Sequence, residues 1–381
     1  MGHVYFDHNA TTPLDDTVFE AMLPYLRGRY GNASSRHELG TVARKAVNVA
    51  REQVAALVNV QPAQVIFVSG GTEANNLFVK GAAGYLSPTQ VVVSGIEHPC
   101  VAKPAQELAR QGWTLRRIAT GAEGRTDLAD VDEALKEPTG IVSLMLANNE
   151  TGAIQPVAEV AQRARRAKAW MHTDAVQALG KIGVDFEALG VHAMTLSAHK
   201  LYGPKGAGAL VVDKRVPLRP LIHGGGHEQG LRSGTENVPA IVGFGAACEL
   251  AASRLAAAGS RLGALRVRLE HGLHALGAVI FGERAPRIPN TSYFAFKGVV
   301  GETLVIELDK AGFAVAPGAA CSSANPEPSA TLLAMGVDPE LAKGAVRFSL
   351  GAGNTQEQVD EFLGTLGQVL SRLRGLAAMA V

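Results

Sequence analysis

Seven short apolar runs, each of four to six residues, confine this chain to few architectures. They lie at 65–68, 90–94, 114–118, 141–146, 170–173, 191–196 and 208–212, and helix-forming sequence at 73–80, 98–110 and 157–168 separates several of them. Runs this short and this apolar suit strands buried on both faces. Their alternation with helices predicts an α/β fold with a mostly parallel sheet and helices on both sides. In such sheets ligands settle beyond the carboxyl ends of the strands, so the residues released there carry the functional argument.

Those residues are polar. Run 65–68 leads into Gly70-Gly71-Thr72, run 90–94 into Glu97-His98, and run 141–146 into Asn148-Asn149-Glu150. Run 170–173 releases Asp174 and Gln177, and run 191–196 releases Ser197, His199 and Lys200 ahead of the Gly/Pro-rich 203–208 stretch. A lysine at the end of a buried strand loses solvation. Its pKa then falls, and the amine becomes a nucleophile toward carbonyls. A plain surface lysine is the alternative for this stretch taken alone. Gly70-Gly71-Thr72 opens a helix directly after a strand, where backbone amides hold a phosphate, although a routine turn has the same look. Asp174 alone reads better as a helix cap. Carboxylate, lysine and phosphate cradle on neighbouring strand ends are together the set that pyridoxal phosphate requires, the carboxylate keeping the pyridine nitrogen protonated.

Toward the amino terminus, residues 4–6 suggest a strand, Pro13 a helix start, and Ser34 or Ser35 a cap for a helix with Glu38 closing a capping box. Leu39, Val42, Ala46, Val49 and Leu57 then mark an amphipathic helix of about six turns. Beyond the glycine-rich 223–237 connection, helical periodicity runs from 238 to 276. Strands follow at 279–281, 291–296, 313–316 and 345–350, with helices near 301–310, 329–335 and 355–373. This change of pattern predicts a large domain over 13–252 and a smaller α+β domain formed by 1–12 with 253–381.

Net charge is +1, from 36 Lys and Arg against 35 Asp and Glu. That balance makes no case for nucleic acid or a membrane surface, and no run of 18 apolar residues suggests a membrane span. Three cysteines without CxxC spacing argue for reduced thiols and a cytoplasmic setting. Cys100 and Cys248 fall in predicted helices as buried small residues. Cys321 lies instead in a run of small residues between Pro317 and Pro326, where nothing buries a thiol, so it is a candidate for chemistry. Arg347, on a predicted strand, suits a substrate carboxylate. His223, His227 and Glu228 lack a further ligand for zinc, and no metal is expected.

The segments Tyr5-Phe6-Asp7-His8-Asn9-Ala10-Thr11-Thr12-Pro13, Gly31-Asn32-Ala33-Ser34-Ser35 and Ser69-Gly70-Gly71-Thr72-Glu73-Ala74-Asn75-Asn76 together carry a resemblance. Glu97-His98, Asn148-Asn149-Glu150-Thr151-Gly152, His172-Thr173-Asp174-Ala175-Val176-Gln177, Ser197-Ala198-His199-Lys200 and Arg232-Ser233-Gly234-Thr235-Glu236-Asn237 extend it in order. The chain resembles the cysteine desulfurases, NifS- and IscS-like members of the class-V aminotransferases, from residue 4 to about Gly351. The resemblance implies a fold-type-I pyridoxal 5'-phosphate enzyme and a homodimer with active sites at the subunit interface. It implies conversion of L-cysteine to L-alanine, with sulfur passed on for iron–sulfur cluster assembly or another thiolation pathway. By the same resemblance Lys200 holds the cofactor, Asp174 its ring nitrogen and Gln177 its phenolic oxygen. Gly71, Thr72, Ser197 and His199 take the phosphate, with Thr235 of the partner subunit. His98 stacks on the ring and moves protons, and Asn149 contacts ring substituents. Arg347 and Asn32 bind the substrate carboxylate, and Cys321 takes the sulfur as a persulfide. About thirty residues follow Gly351, fewer than in many relatives, which leaves the acceptor protein open.

Overall fold

The computed structural model describes residues 3–318 and 327–379. Its main sheet has seven strands in the order Val65–Val68, Gly208–Val212, Ala193–Ser197, Trp170–Asp174, Thr139–Ser143, Gln90–Ser94, Thr114–Ile118. Gly208–Val212 runs antiparallel to both of its neighbours, and the other pairings are parallel. Every residue of the 65–68, 193–197 and 208–212 strands is buried, as expected where helices cover both faces. On one side Leu77, Phe78, Val101 and Leu108 pack on Val91 and Val93. On the other, Val47, Val54, Val160 and Phe244 pack on Phe67, Val142 and Leu196.

A second core gathers around a four-stranded antiparallel sheet, ordered Ala316–Pro317, Val346–Ser349, Thr291–Ala295, Val279–Ile280. The amino terminus joins it. Val4–Tyr5 pairs with Phe313–Ala314, and buried Phe6 stacks on Phe348 with centroids 4.1 Å apart. Helix Val238–Ala275 bridges the two cores, burying Ile241, Phe244 and Cys248 in the first and Leu265, Leu269 and Leu273 in the second. Its length and composition would let it cross a membrane, which a search for consecutive apolar residues does not reveal. The two cores bury its apolar side chains over 238–248 and 262–273, while Val267 is exposed.

Several local expectations shift. The first helix is Asp16–Arg27, capped by Asp15 and not begun at Pro13. The next, Glu38–Leu57, is capped by His37, whose Nδ1 accepts from the Gly40 amide, and neither serine caps it. Glu38 is therefore its first residue and closes no capping box. Leu39 and Val49 are exposed, because this helix packs through its alanines and Val47 and Val54. The strand expected at 141–146 is Thr139–Ser143. Past Ser143 the 90–94 strand no longer pairs with it, and the Glu97 carboxylate takes the Met145 amide at 2.6 Å in place of a strand.

Candidate functional site

The parallel strands end on one rim, and a cavity of about 350 Å³ opens there, a size usual for a small-molecule site. Gly71, Thr72, His98, Asn149, Asp174, Gln177, Ser197, His199, Lys200 and Arg347 all line it. Each of the first nine sits at or just beyond a strand end. Gly71 and Thr72 open helix Gly71–Ala83, and His98 caps helix Pro99–Arg110. Asp174 and Ser197 close their strands, and Lys200 ends the short 3-10 turn Ala198–Lys200.

Lys200 Nζ donates to the Asn9 and Ala10 carbonyls at 2.5 and 2.6 Å. Burial is the main cause that lowers its pKa to about 8, and the Arg347 charge pushes the same way against Asp7 and Asp174. The amine is thus substantially neutral at mildly alkaline pH, as a nucleophile needs to be. Asp174 is buried, accepting from Asn75 Nδ2 at 2.7 Å and from the Val176 amide at 2.9 Å. Burial drives its carboxyl upward, and these donors with the charges of His98 and Lys200 pull it back. A protonated ring nitrogen beside it would supply the counter-charge that desolvation withholds.

The anion cradle is equally specific. Helix 71–83 starts after Gly70 with no side chain capping its first amides among the described residues. Beside it, the buried Ser197 Oγ has no hydrogen-bond partner there either. Gly70 has φ +156°, and a Cβ on Gly208 would stand 2.6 Å from Gly70 Cα, so turn and strand touch through glycine. A Cβ on Gly71 would press to 3.0 Å from Val176 Cγ2. Orphaned hydroxyl, uncapped helix start, carboxylate and lysine together fit pyridoxal phosphate.

Arg347 enters from the second sheet, where Tyr293 and Ala316 flank it. Its Nη2 lies 2.7 Å from Asp7 Oδ1, Nη1 donates to the Asn149 carbonyl at 3.1 Å, and the buried Nε has no partner among the described residues. The guanidinium is held in place with donor capacity to spare.

Other groups went unread in the sequence. Asn9 joins the parts of the site: Nδ2 donates to Thr291 Oγ1 at 2.8 Å and Oδ1 accepts from Lys181 and Asn290. Its carbonyl takes Gln177 Nε2 as well as Lys200. Lys181 also donates to Gln177 Oε1 at 2.7 Å, and burial holds its pKa well below the usual lysine value, aided by Lys200 and Arg347. Burial beside Asp174 raises the Glu97 carboxyl to about 8. Cys100, expected as a buried helix residue, is half-buried and lines the cavity. The available signals were the polar 7–13 turn, a lysine inside an apolar run at 178–184, and Asn75 on the buried side of its helix.

Not every expected residue converges. Asn32 is exposed and its Oδ1 accepts from the Ser34 amide, and Thr235 is exposed in the 232–237 loop; neither lines the cavity. Glu228 is committed to Arg51 and to the Phe67 amide, at 2.7 to 2.8 Å. Cys321 lies outside the described residues.

The chain matches the Aminotransferase class-V family over residues 4–362. Cysteine desulfurase IscS of Dictyoglomus turgidum is 40% identical over 378 residues, which cover 98% of this chain and 96% of that protein. A solved NifS-like protein has a TM-score of 0.92 at 39% identity, covering 97% of this chain and 99% of that one. Another, SspA in complex with cysteine, has a TM-score of 0.82 at 30% identity, covering 91% and 98%.

Proposed function

The chain belongs to the class-V aminotransferase family and, within it, to the cysteine desulfurases, and on that premise we propose how its own residues release sulfur from L-cysteine. The observation that carries the reading is the meeting of Lys200, Asp174, Ser197 and the start of helix 71–83 around one cavity.

The cofactor is pyridoxal 5'-phosphate, which when bound supplies an electron sink that makes the substrate sulfur open to attack. Lys200 would hold it covalently, Asp174 its ring nitrogen, and Gln177 its phenolic oxygen through Nε2. Gly71, Thr72, Ser197 and His199 would bind its phosphate, and Asn149 a ring substituent. His98, which lines the cavity, would stack on the ring and carry protons. Arg347 takes the L-cysteine carboxylate by a charge-assisted pair, competing with Asp7. The Cys321 thiolate attacks the substrate sulfur. One S–S bond forms and one C–S bond breaks, so L-cysteine and the Cys321 thiol become L-alanine and a Cys321 persulfide.

The working form is a homodimer. Phe19, Leu26, Tyr30, Leu221 and Ile222 are all exposed, and a second subunit would cover such apolar surface. Thr235 then reaches the partner's phosphate site, and Asn32 assists beside the carboxylate. The two cores bridged by helix 238–275 support domains of 13–252 and of 1–12 with 253–381. Cys100 and Cys248, unpaired among the described residues, suit the cytoplasm, and the sulfur passes to an acceptor protein such as an iron–sulfur scaffold.

Purified protein with pyridoxal phosphate, L-cysteine and a reducing thiol should release alanine and sulfide in equal amounts. Cys321→Ala should keep the cofactor and lose both products. Full desulfuration by that variant would remove Cys321 from the mechanism, and vigorous amino transfer to a 2-oxo acid would replace the reading with a transaminase.

A further inference from the structure

His98 and Asp174 are joined by hydrogen bonds that pass through two residues to which the reaction above assigns no role. Asn75 is fully buried, and its Nδ2 donates to Asp174 Oδ2 at 2.7 Å and to Cys100 Sγ at 3.0 Å. Cys100 Sγ lies 2.8 Å from His98 Nδ1, and the Cys100 amide donates to the same nitrogen at 3.2 Å.

The donors and acceptors fix the state of the His98 ring. The Asp174 carboxylate accepts, so the Asn75 NH2 must face it. That group has two hydrogens, one for Asp174 and one for the sulfur. Thr72 also reaches this sulfur, but the Cys100 amide can only donate, so His98 Nδ1 is an acceptor and the Cys100 S–H beside it donates to the same nitrogen. Nδ1 therefore takes two donors, an amide and a thiol, in a three-centre arrangement, and cannot itself carry a proton. The ring hydrogen falls on Nε2.

We propose that Cys100 is a positioning residue, oriented by Asn75, that holds His98 as the Nε2–H tautomer so that its one ring proton is offered on the side away from Cys100. Burial, with the Asp174 and Glu97 charges, pushes the thiol up to about 12. It thus stays a donor at neutral pH and is no rival to Cys321 as a sulfur acceptor. Protonating Nδ1 would strand both donors. This acts in the same direction as burial and the Lys200 charge, which lower the pKa of His98 against the opposing pull of Asp174. The inference rests on the proposed role of His98 as the proton carrier.

Holoenzyme carrying ring-15N histidine tests it, with the His98 signals identified by their loss in His98→Gln. At neutral pH the wild type should show a bare Nδ1 and a protonated Nε2. Cys100→Ser keeps a donor and should keep that pattern. Cys100→Ala should move the Nδ1 signal toward the protonated position and raise the ring pKa by about one unit, a tenfold change in proton affinity. The acid limb of kcat/KM should move by the same amount. A protonated Nδ1 in the wild type, or a Cys100→Ala ring that matches the wild type in both tautomer and pKa, overturns the proposal. The ring spectrum needs no turnover, so an enzyme that fails to desulfurate cysteine but shows the stated tautomer would refute the function and leave Cys100 in place. Cofactor absorbance in each variant confirms that it has folded.

Discussion

Lys200 and Arg347 face one cavity from sheets built on different rules. The seven-stranded sheet delivers Asp174, Ser197 and Lys200 because parallel strands joined by helices all point their carboxyl ends the same way. Arg347 sits within an antiparallel strand, between Tyr293 and Ala316, and no rule of strand ends places it. What aims it is the 7–13 turn. Asp7 holds the guanidinium, and Asn9 bonds the small sheet at Thr291 while its carbonyl receives Lys200. One half of the site is a property of topology, and the other half depends on a dozen amino-terminal residues lodged between the two cores.

The comparison can be broken in graded steps. Replacing Lys200 by Ala should remove the absorbance of bound cofactor and lower kcat by about a thousandfold or more, since a covalent anchor and nucleophile is lost. An unchanged spectrum would place the anchor elsewhere. Arg347→Met removes a charge-assisted bond of about 1.5–3 kcal/mol, so KM for L-cysteine should rise roughly tenfold to a hundredfold with cofactor affinity little changed. If cofactor binding fell in step with KM, the two halves of the site would not be separable. Asn9→Ala strips the stitch while leaving both sheets intact. It should cost about 1–3 kcal/mol in urea unfolding, because the buried Lys181 amino group and the Asn290 amide each lose a partner. A loss of under about 0.5 kcal/mol would show that the turn is passive.

The finest step is a pH profile. Capture of pyridoxal phosphate by the apoprotein should quicken through a midpoint near pH 8, where Lys200 loses its proton. In the unfolded chain that proton is held to about 10.4. Between the two values the unfolded state binds more protons, so the contribution of Lys200 to stability increases with pH across that window and is least below it. A capture midpoint near 10 would mean that burial does not tune this lysine.

Sequence neighbours made much of the site legible. Gly71 follows its strand closely, Asp174 and Ser197 end theirs, and Lys200 lies three residues beyond Ser197, so short apolar runs were enough to bring them to one rim. The capping residues were misread because Asp15 and His37 turn their side chains back onto the Thr17 and Gly40 amides, an orientation that residue type alone does not record. Cys100 looked like a core residue because a small side chain in a helix usually is one. The first turn of helix 99–110 instead faces the cavity, where Asn75 Nδ2 has an acceptor in the Cys100 sulfur and His98 Nδ1 a donor in its thiol.

From the order of its residues alone, this chain determines an α/β fold, the strand ends that bear Thr72, His98, Asp174 and Lys200, and its likeness to the cysteine desulfurases. These rest on periodicity and on motifs local in the chain. Tertiary structure alone decided that Asp7 would meet Arg347 across 340 residues, that Asn9 would bind both sheets, and that Asn75 and Cys100 would link Asp174 to His98. Such contacts depend on hydrogen-bond geometry at distances near 3 Å between segments far apart in the chain, and only the packed cores bring those segments together.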